Sequence, residues 1–308
     1  MAAPRALTAE QAMAQAAALF GRGDLAGAQV LCEAILRGDP RHFWALHLAA
    51  TIALREERFA DCVALAGRAL EREPTHPDVL CNRGAALRHL NRIEEALADY
   101  DRALAGQPRS AVACNNRGVA LAALNRHREA VESYSQALRI QPGYSSARFH
   151  RGLSLLTLGD LERGLEDYEA RGDVTSALGP HRPMRKPPWN GREAVGGKSI
   201  LLHAEQGLGD TLQFARYARI LKDQGATVIL EAHPPLTPLL ADVQGVDRCV
   251  AVGEALPAFD LHCPLASVPR AVGTRIETIP GGVPYVAAPA GHVERWRGLL
   301  GPRARPLI

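Results

Sequence analysis

Lysine, aromatic residues and unbroken apolar stretches are all scarce in this chain. Only Lys186, Lys198 and Lys222 are lysines among 36 basic side chains; the excess of arginine reads as genomic base composition rather than function. Aromatics make up 5% of the 308 residues while alanine is plentiful, which suits close helix packing. No stretch approaches the ~18 consecutive apolar residues of a membrane span, and MAAPRALTAEQAM carries no apolar core behind a basic start. A soluble, cytoplasmic protein with no membrane span is expected. The formal charge of +3 is too small for a general nucleic-acid binder. None of the six cysteines (Cys32, Cys62, Cys81, Cys114, Cys249, Cys263) stands in a Cys-x-x-Cys pair, so they are expected as small buried hydrophobes in a reducing compartment. No metal site and no cofactor is expected. The length suggests about two domains, and 47% hydrophobic with 22% charged residues is an ordinary globular balance.

What the chain does have is a period. Pro40, Pro74, Pro108 and Pro142 recur every 34 residues. With position 1 at Phe43, Pro77, Ala111 and Ser145, position 8 is Ala50, Gly84, Gly118 and Gly152, and position 20 is Cys62, Ala96, Ala130 and Gly164. Position 24 is Ala66, Tyr100, Tyr134 and Tyr168, and position 27 is Ala69, Ala103 and Ala137 before the pattern lapses at Arg171. A weaker copy starts near Ala9, with Ala16 and Ala28 in register and Pro40 at its end. This pattern resembles the tetratricopeptide repeat. Small residues let two antiparallel helices approach, the aromatic fills the gap to the next repeat, and proline, lacking a donor, ends the second helix. Residues 9–172 therefore predict an all-α tetratricopeptide-repeat solenoid of about five repeats, the first and last degenerate.

Residues 173–197 contain Pro180, Pro183, Pro187 and Pro188 with the basic cluster His181, Arg182, Arg185 and Lys186, and read as a linker that Trp189 anchors against the second domain. From Lys198 the grammar changes to short apolar runs between helical segments, so 198–308 predicts a Rossmann-like α/β domain with a mainly parallel sheet. The expected strands are 199–204, 227–232, 248–252, 259–263 and 284–288. TLQFARYARILKDQ is expected as one helix, with Phe214, Tyr217, Ala218 and Leu221 on its buried face, and a further helix is expected near 291–300.

The loop Glu205-Gln206-Gly207-Leu208-Gly209-Asp210 carries the chemistry. Glycines there permit positive φ and close backbone approach, and the amides that open the next helix suit an anionic or polyhydroxylated ligand. A dinucleotide fingerprint would need a glycine where Leu212 stands. A plain strand-to-helix turn, with Asp210 as its N-cap, is the bland alternative.

PPWNG, ILLHAEQGLGDTLQFARYA, VILEAHPPL, FDLHCPLASVPRA and ETIPGGVPY together resemble bacterial proteins in which tetratricopeptide repeats precede a heptosyltransferase-like glycosyltransferase of the two-domain B type. The resemblance implies that the α/β region is the acceptor half and that Asp210 is the general base on an acceptor hydroxyl. Beside it, His203, Glu205, Gln206, Gly207, Leu208 and Gly209 are expected to bind substrate, a histidine satisfied by backbone groups being the alternative for His203, and the resemblance implies a nucleotide sugar as donor in the complete enzyme. The chain ends at Ile308, where RARPLI looks like the entry to a second domain, so the expectation is a chain truncated before its donor half and inactive alone. Asn82 and Asn116 share position 6. The array resembles that of protein O-linked N-acetylglucosamine transferases, where an asparagine ladder there holds an extended peptide, so these two are expected to bind a protein or peptide partner on the concave face. Leu48 and His150 interrupt the ladder, and asparagines that are solvated or tie neighbouring helices are the alternative. A non-catalytic interaction scaffold is the alternative for the whole protein.

Overall fold

A computed structural model describes residues 7–174, 184 and 187–301. The basic cluster His181, Arg182, Arg185 and Lys186 and the terminal RARPLI lie outside the described residues. The chain forms two compact units, Met1–Leu158 and Gly159–Ile308.

The first unit is an array of helix pairs: α1 (Ala9–Gly21) with α2 (Leu25–Gly38), α3 (Phe43–Arg55) with α4 (Phe59–Leu70), α5 (Pro77–His89) with α6 (Ile93–Gly106), and α7 (Ala111–Ala123) with α8 (His127–Ile140), closed by α9 (Ser145–Thr157). Sequence position translates directly into packing. A Cβ on Gly84 would lie 2.8 Å from Cε1 of Tyr100, and one on Gly118 only 2.5 Å from Cε1 of Tyr134. Glycine at position 8 and tyrosine at position 24 are thus one packing unit, which the fully buried Ala50 and Ala66 replace in the preceding repeat. Both tyrosine rings are buried, and they join Leu87, Leu97 and Leu121 in one core cluster.

Two further periodic features hold the pairs together. The turn inside each pair passes through a left-handed residue at position 15: Gly23 (φ 83°), Glu57 (59°), Asn91 (58°) and Asn125 (59°). Glycine and asparagine tolerate that conformation and glutamate does so at a cost. Each proline of the 34-residue period also leaves its carbonyl for a donor at position 26 of the next repeat: Arg68 Nη2 reaches Pro40 O at 2.6 Å, Arg102 Nη2 reaches Pro74 O at 2.6 Å and Gln136 Nε2 reaches Pro108 O at 3.4 Å. Proline both stops the helix and supplies an acceptor at the junction.

The second unit opens with α10 (Leu161–Tyr168) and α11 (Arg171–Val174), then runs β1 (Ser199–His203), α12 (Leu208–Ala215), α13 (Ala218–Asp223), β2 (Thr227–Ala232), α14 (Thr237–Leu240), β3 (Arg248–Ala251), β4 (Leu261–Pro264), α15 (Val268–Ala271) and α16 (Ala290–Leu300). The strands form one sheet in the order β3-β2-β1-β4, every pair parallel. β1 is central, pairing Leu202 with Leu230 on one side and with Cys263 on the other. Pleating sends alternate residues to opposite faces. Ile200, Leu202, Val228, Leu230 and Cys263 enter the main core with Leu221, Leu240 and Trp189, while Leu201, Ile229 and Val250 pack on the other face. Burial on both faces explains why these strands read as near-continuous apolar runs.

Three expectations need correction. The single helix predicted over 211–224 is two helices, because the chain tightens at Arg216–Tyr217, where Tyr217 N bonds Phe214 O and the Arg216 Nε takes the Gln213 carbonyl. Tyr217, Ala218 and Leu221 still face the core, with Phe214 partly buried beside them. No strand forms at 284–288 among the described residues. Pro284 and Pro289 bracket that segment without backbone donors, and Tyr285 instead donates its hydroxyl to Leu212 O at 3.0 Å. Asp210 is not the N-cap of α12: Gly207 holds that place and Asp210 is the third helical residue. Trp189 is buried as expected of an anchor, its Nε1 donating to Glu193 O and its N to His262 O, both at 2.7 Å.

Candidate functional site

The Gly-rich loop leaves the carboxyl end of β1, beside the point where the sheet order reverses between β1 and β4. In open parallel sheets the crevice outside the strand ends at such a reversal is the usual ligand position. Gly207, Leu208 and Gly209 are exposed there and Asp210 is half-buried. Asp210 Oδ2 accepts the Gly207 amide at 3.2 Å, and the Thr211 hydroxyl returns to Gly207 O at 3.1 Å, so the loop is fastened to its own helix. The expected positive φ is absent: Gly207 has φ −65°, ψ 173°, and a Cβ on Gly209 would meet nothing within 4 Å. Neither glycine is demanded by the fold around it.

Glu205 and Gln206 face inward. Arg171, 3% exposed, places Nε and Nη2 at 3.1 and 2.5 Å from Glu205 Oε1, and the same guanidinium meets Glu169 Oε1 at 3.1 Å, Tyr168 O at 3.3 Å and Ser267 Oγ at 2.6 Å. Ser267 in turn donates to Glu169 Oε2 at 3.1 Å. Burial alone would lower the Arg171 pKa, but Glu205 and Glu169 outweigh it and the value is raised. Gln206 bonds the Tyr168 hydroxyl at 2.8–3.0 Å, and His233 Nε2 lies 2.6 Å from Gln206 O. α10 and α11 therefore hold the base of the loop, through the two residues where the 34-residue pattern ends.

His203, at the end of β1, lies 3.3 Å from His262 of β4 (Nε2 to Nδ1), and Glu231 stands opposite it in register on β2. His262 and Glu231 are both buried at 4% exposure. Sequence reading singled out neither His262 nor the Arg171–Ser267 contact. The one available signal was Arg171 itself, an arginine where three earlier copies have alanine.

In the array the two asparagines differ. Asn82 donates Nδ2 to Thr51 Oγ1 of the previous repeat at 2.9 Å, while Asn116 Oδ1 is approached by Asn115 Nδ2 at 3.3 Å, and Asn115 Oδ1 faces His150 Nδ1 at 3.1 Å. Both position-6 residues are half-buried. The cysteines are free thiols, and burial is the main cause raising Cys32 and Cys62 to about 11 and Cys81 to about 12, which removes them as nucleophiles. Among the described residues no cluster of His, Cys, Asp and Glu is placed to hold a metal ion, and no helix is long and apolar enough to cross a membrane.

Residues 77–105 and 111–144 match the family model of the tetratricopeptide repeat, and the helical array is a tetratricopeptide-repeat solenoid. The chain thus contains tetratricopeptide repeats, and the helical array they belong to precedes a small parallel sheet. No curated protein matches it. Among solved structures it is similar to YrrB, described as a tetratricopeptide-repeat protein with an unusual peptide-binding site (20% identity over 55% of this chain and 87% of that one, TM-score 0.47). It is also similar to pilF of Pseudomonas aeruginosa (19%, 55% and 77%, TM-score 0.49) and to MamA of Desulfovibrio magneticus RS-1 (17%, 55% and 97%, TM-score 0.49).

Proposed function

We propose that this is a repeat-containing glycosyltransferase-like protein: the solenoid holds an extended segment of a protein partner on its concave face, and the α/β unit is a Rossmann-like acceptor domain. Asn82 and Asn116 would contribute amides to the bound backbone, Asn116 with the freer side chain. The α/β reading is supported by the 3-2-1-4 parallel order with a Gly-rich loop at the end of the first strand. The observation that carries it furthest is the pair Gly207 and Gly209, exposed, with negative φ at Gly207 and open space around Gly209. Glycines without an internal reason leave room for a ligand against the backbone. In this reading Asp210 is the general base, His203 lines the acceptor crevice, Leu208 covers it, and Glu205 and Gln206 act through the loop they anchor. The donor would be a nucleotide sugar.

The test is nucleoside diphosphate release from a nucleotide-sugar panel by a protein in which this α/β unit is joined to a donor-binding domain, the 308-residue chain by itself being expected inactive. Asp210→Asn is expected to lower turnover by roughly 10²- to 10⁴-fold with an unchanged melting temperature. Gly209→Ala should keep or raise stability, since alanine favours a helix, while removing acceptor binding. A second reading, a non-catalytic interaction scaffold, is favoured by the engagement of Asp210 with Gly207 and of Glu205 with Arg171. It is the reading left standing if no donor is bound and both variants behave as wild type.

A further inference from the structure

A cavity of about 340 Å³ in the α/β unit is lined by α10 and by α15 with the turn that follows it. Its charges are sorted by sign: Glu162 and Glu166 come from α10, Arg270 and Arg275 from the other segment. Among the described residues none of these four side chains enters an ion pair or a hydrogen bond, whereas at the start of α10 Arg163 does meet Asp160 at 3.3 Å. Glu162 and Glu166 stand one turn apart on one helix face, where like charges weaken the helix. Leu165 and Thr274, both buried, complete the lining. Thr274 Oγ1 makes no hydrogen bond, the Tyr217 hydroxyl being close by but not in bonding geometry. A buried hydroxyl left in that state is uncommon.

We propose that this cavity binds a free α-amino acid, its carboxylate taken by Arg270 and Arg275 and its ammonium by Glu162 and Glu166. The site is separate from the Gly-rich loop and independent of the transfer reading. A guanidinium presents a planar fork that matches a carboxylate with two parallel hydrogen bonds, and a glutamate oxygen accepts from an ammonium group. Only a ligand carrying both signs answers all four side chains. A dianion is repelled by the two glutamates and a dication by the two arginines, while a neutral sugar would displace water from four charges without replacing it. A peptide carries its terminal charges at opposite ends; a free amino acid carries both on one carbon. That compactness suits a cavity near the lower end of the roughly 300–1,000 Å³ typical of small-molecule sites. A polar head group over Thr274 also supplies the partner its hydroxyl lacks, and Leu165 offers an apolar contact to the ligand's side chain.

The test is calorimetry of the full chain with each protein amino acid in turn at millimolar concentration. A ligand that binds only the folded unit raises its melting temperature, so at least one amino acid is expected to raise the α/β transition and leave the solenoid transition unmoved. Isothermal titration then compares the best binder with its N-acetyl derivative, which has lost the ammonium, and its carboxamide, which has lost the carboxylate; each should bind about 10-fold or more weakly. Arg270→Gln and Glu166→Gln change exposed side chains, so both proteins should melt as wild type without ligand, yet each should weaken binding by about 10-fold or more. Four solvated side chains around an empty cavity would give no shift with any amino acid, and that result overturns the proposal. So does equal affinity for the parent and its two derivatives, or binding that survives both substitutions. None of these measurements involves a sugar donor or Asp210, so their failure leaves the transfer reading where it stands.

Discussion

The two units employ arginine in different ways. In the solenoid it recurs at fixed positions with near-identical partners: Arg58, Arg92 and Arg126 each meet an acid three residues on, at 2.6–2.7 Å, and Arg68 and Arg102 each close a proline junction. These contacts are exposed and screened by solvent, so each contributes little and the set tolerates losses. Among the described residues of the α/β unit one arginine is buried, Arg171, and it gathers Glu205, Glu169, Ser267 and a backbone carbonyl. Apart from Arg83, which holds the buried Asp99, arginine's contribution is spread over exposed copies in the solenoid and concentrated in one residue in the α/β unit.

The largest effect should follow from removing that concentration. Arg171→Ala leaves Glu205 buried without its partner, a change that costs about 3–5 kcal/mol in comparable buried pairs. Calorimetry is expected to show the α/β transition shifted down or lost and the solenoid transition unmoved; an equal effect from Arg92→Ala would break the contrast. Within the solenoid, Gly118→Ala forces a methyl group against Tyr134 and should cost about 1–3 kcal/mol by overpacking. Combined with Tyr134→Ala it should cost less than the sum of the two single changes, because Ala50 and Ala66 already form such a pair. Urea denaturation of the four proteins measures that coupling.

Acid should also separate the units. Burial, reinforced by His76, lowers the His47 pKa, and burial with Arg88 lowers that of His150. A histidine depressed in the fold stabilises it fully above its unfolded value of about 6.5, and that contribution is lost as pH falls through the folded value. The solenoid midpoint is therefore expected to drop between pH 7 and 5, and His47→Gln with His150→Gln should flatten the dependence. The smallest change is a gain: Glu57→Gly relieves a left-handed glutamate and should raise solenoid stability by roughly 0.5–1 kcal/mol in the same denaturation measurement.

The solenoid was legible because its determinants are local and repeated: Gly84 with Tyr100 and Gly118 with Tyr134 announce the same contact twice. The position-15 turn residues, Gly23, Asn91, Asn125 and Gly159, carried the same periodic signal and could have been read with them. The parallel strands were legible from their apolar runs, but 284–288 imitated one, since composition alone does not show that Pro284 and Pro289 deny it partners. The loop was found and its internal geometry was not. A glycine suggests positive φ whatever its real conformation, and Asp210 looks like a cap one turn away from the place it takes. Arg171 marked the end of the repeat pattern, yet one sequence cannot say that its charge is buried against Glu205, because that pairing depends on how α11 and the loop fold together.

The proline junctions bear on how such an array changes length over generations. Donor and acceptor come from neighbouring copies, Arg102 with Pro74 and Gln136 with Pro108, always 28 residues apart. Loss of the stretch 77–110 would bring Gln136 to Pro74 in the vacated role of Arg102, and a duplicated stretch would arrive with its own donor. Thirty-four-codon gains and losses are thus self-repairing within the solenoid. They stop being so at Arg171, where an extra copy would bring a second arginine and no second glutamate to receive it.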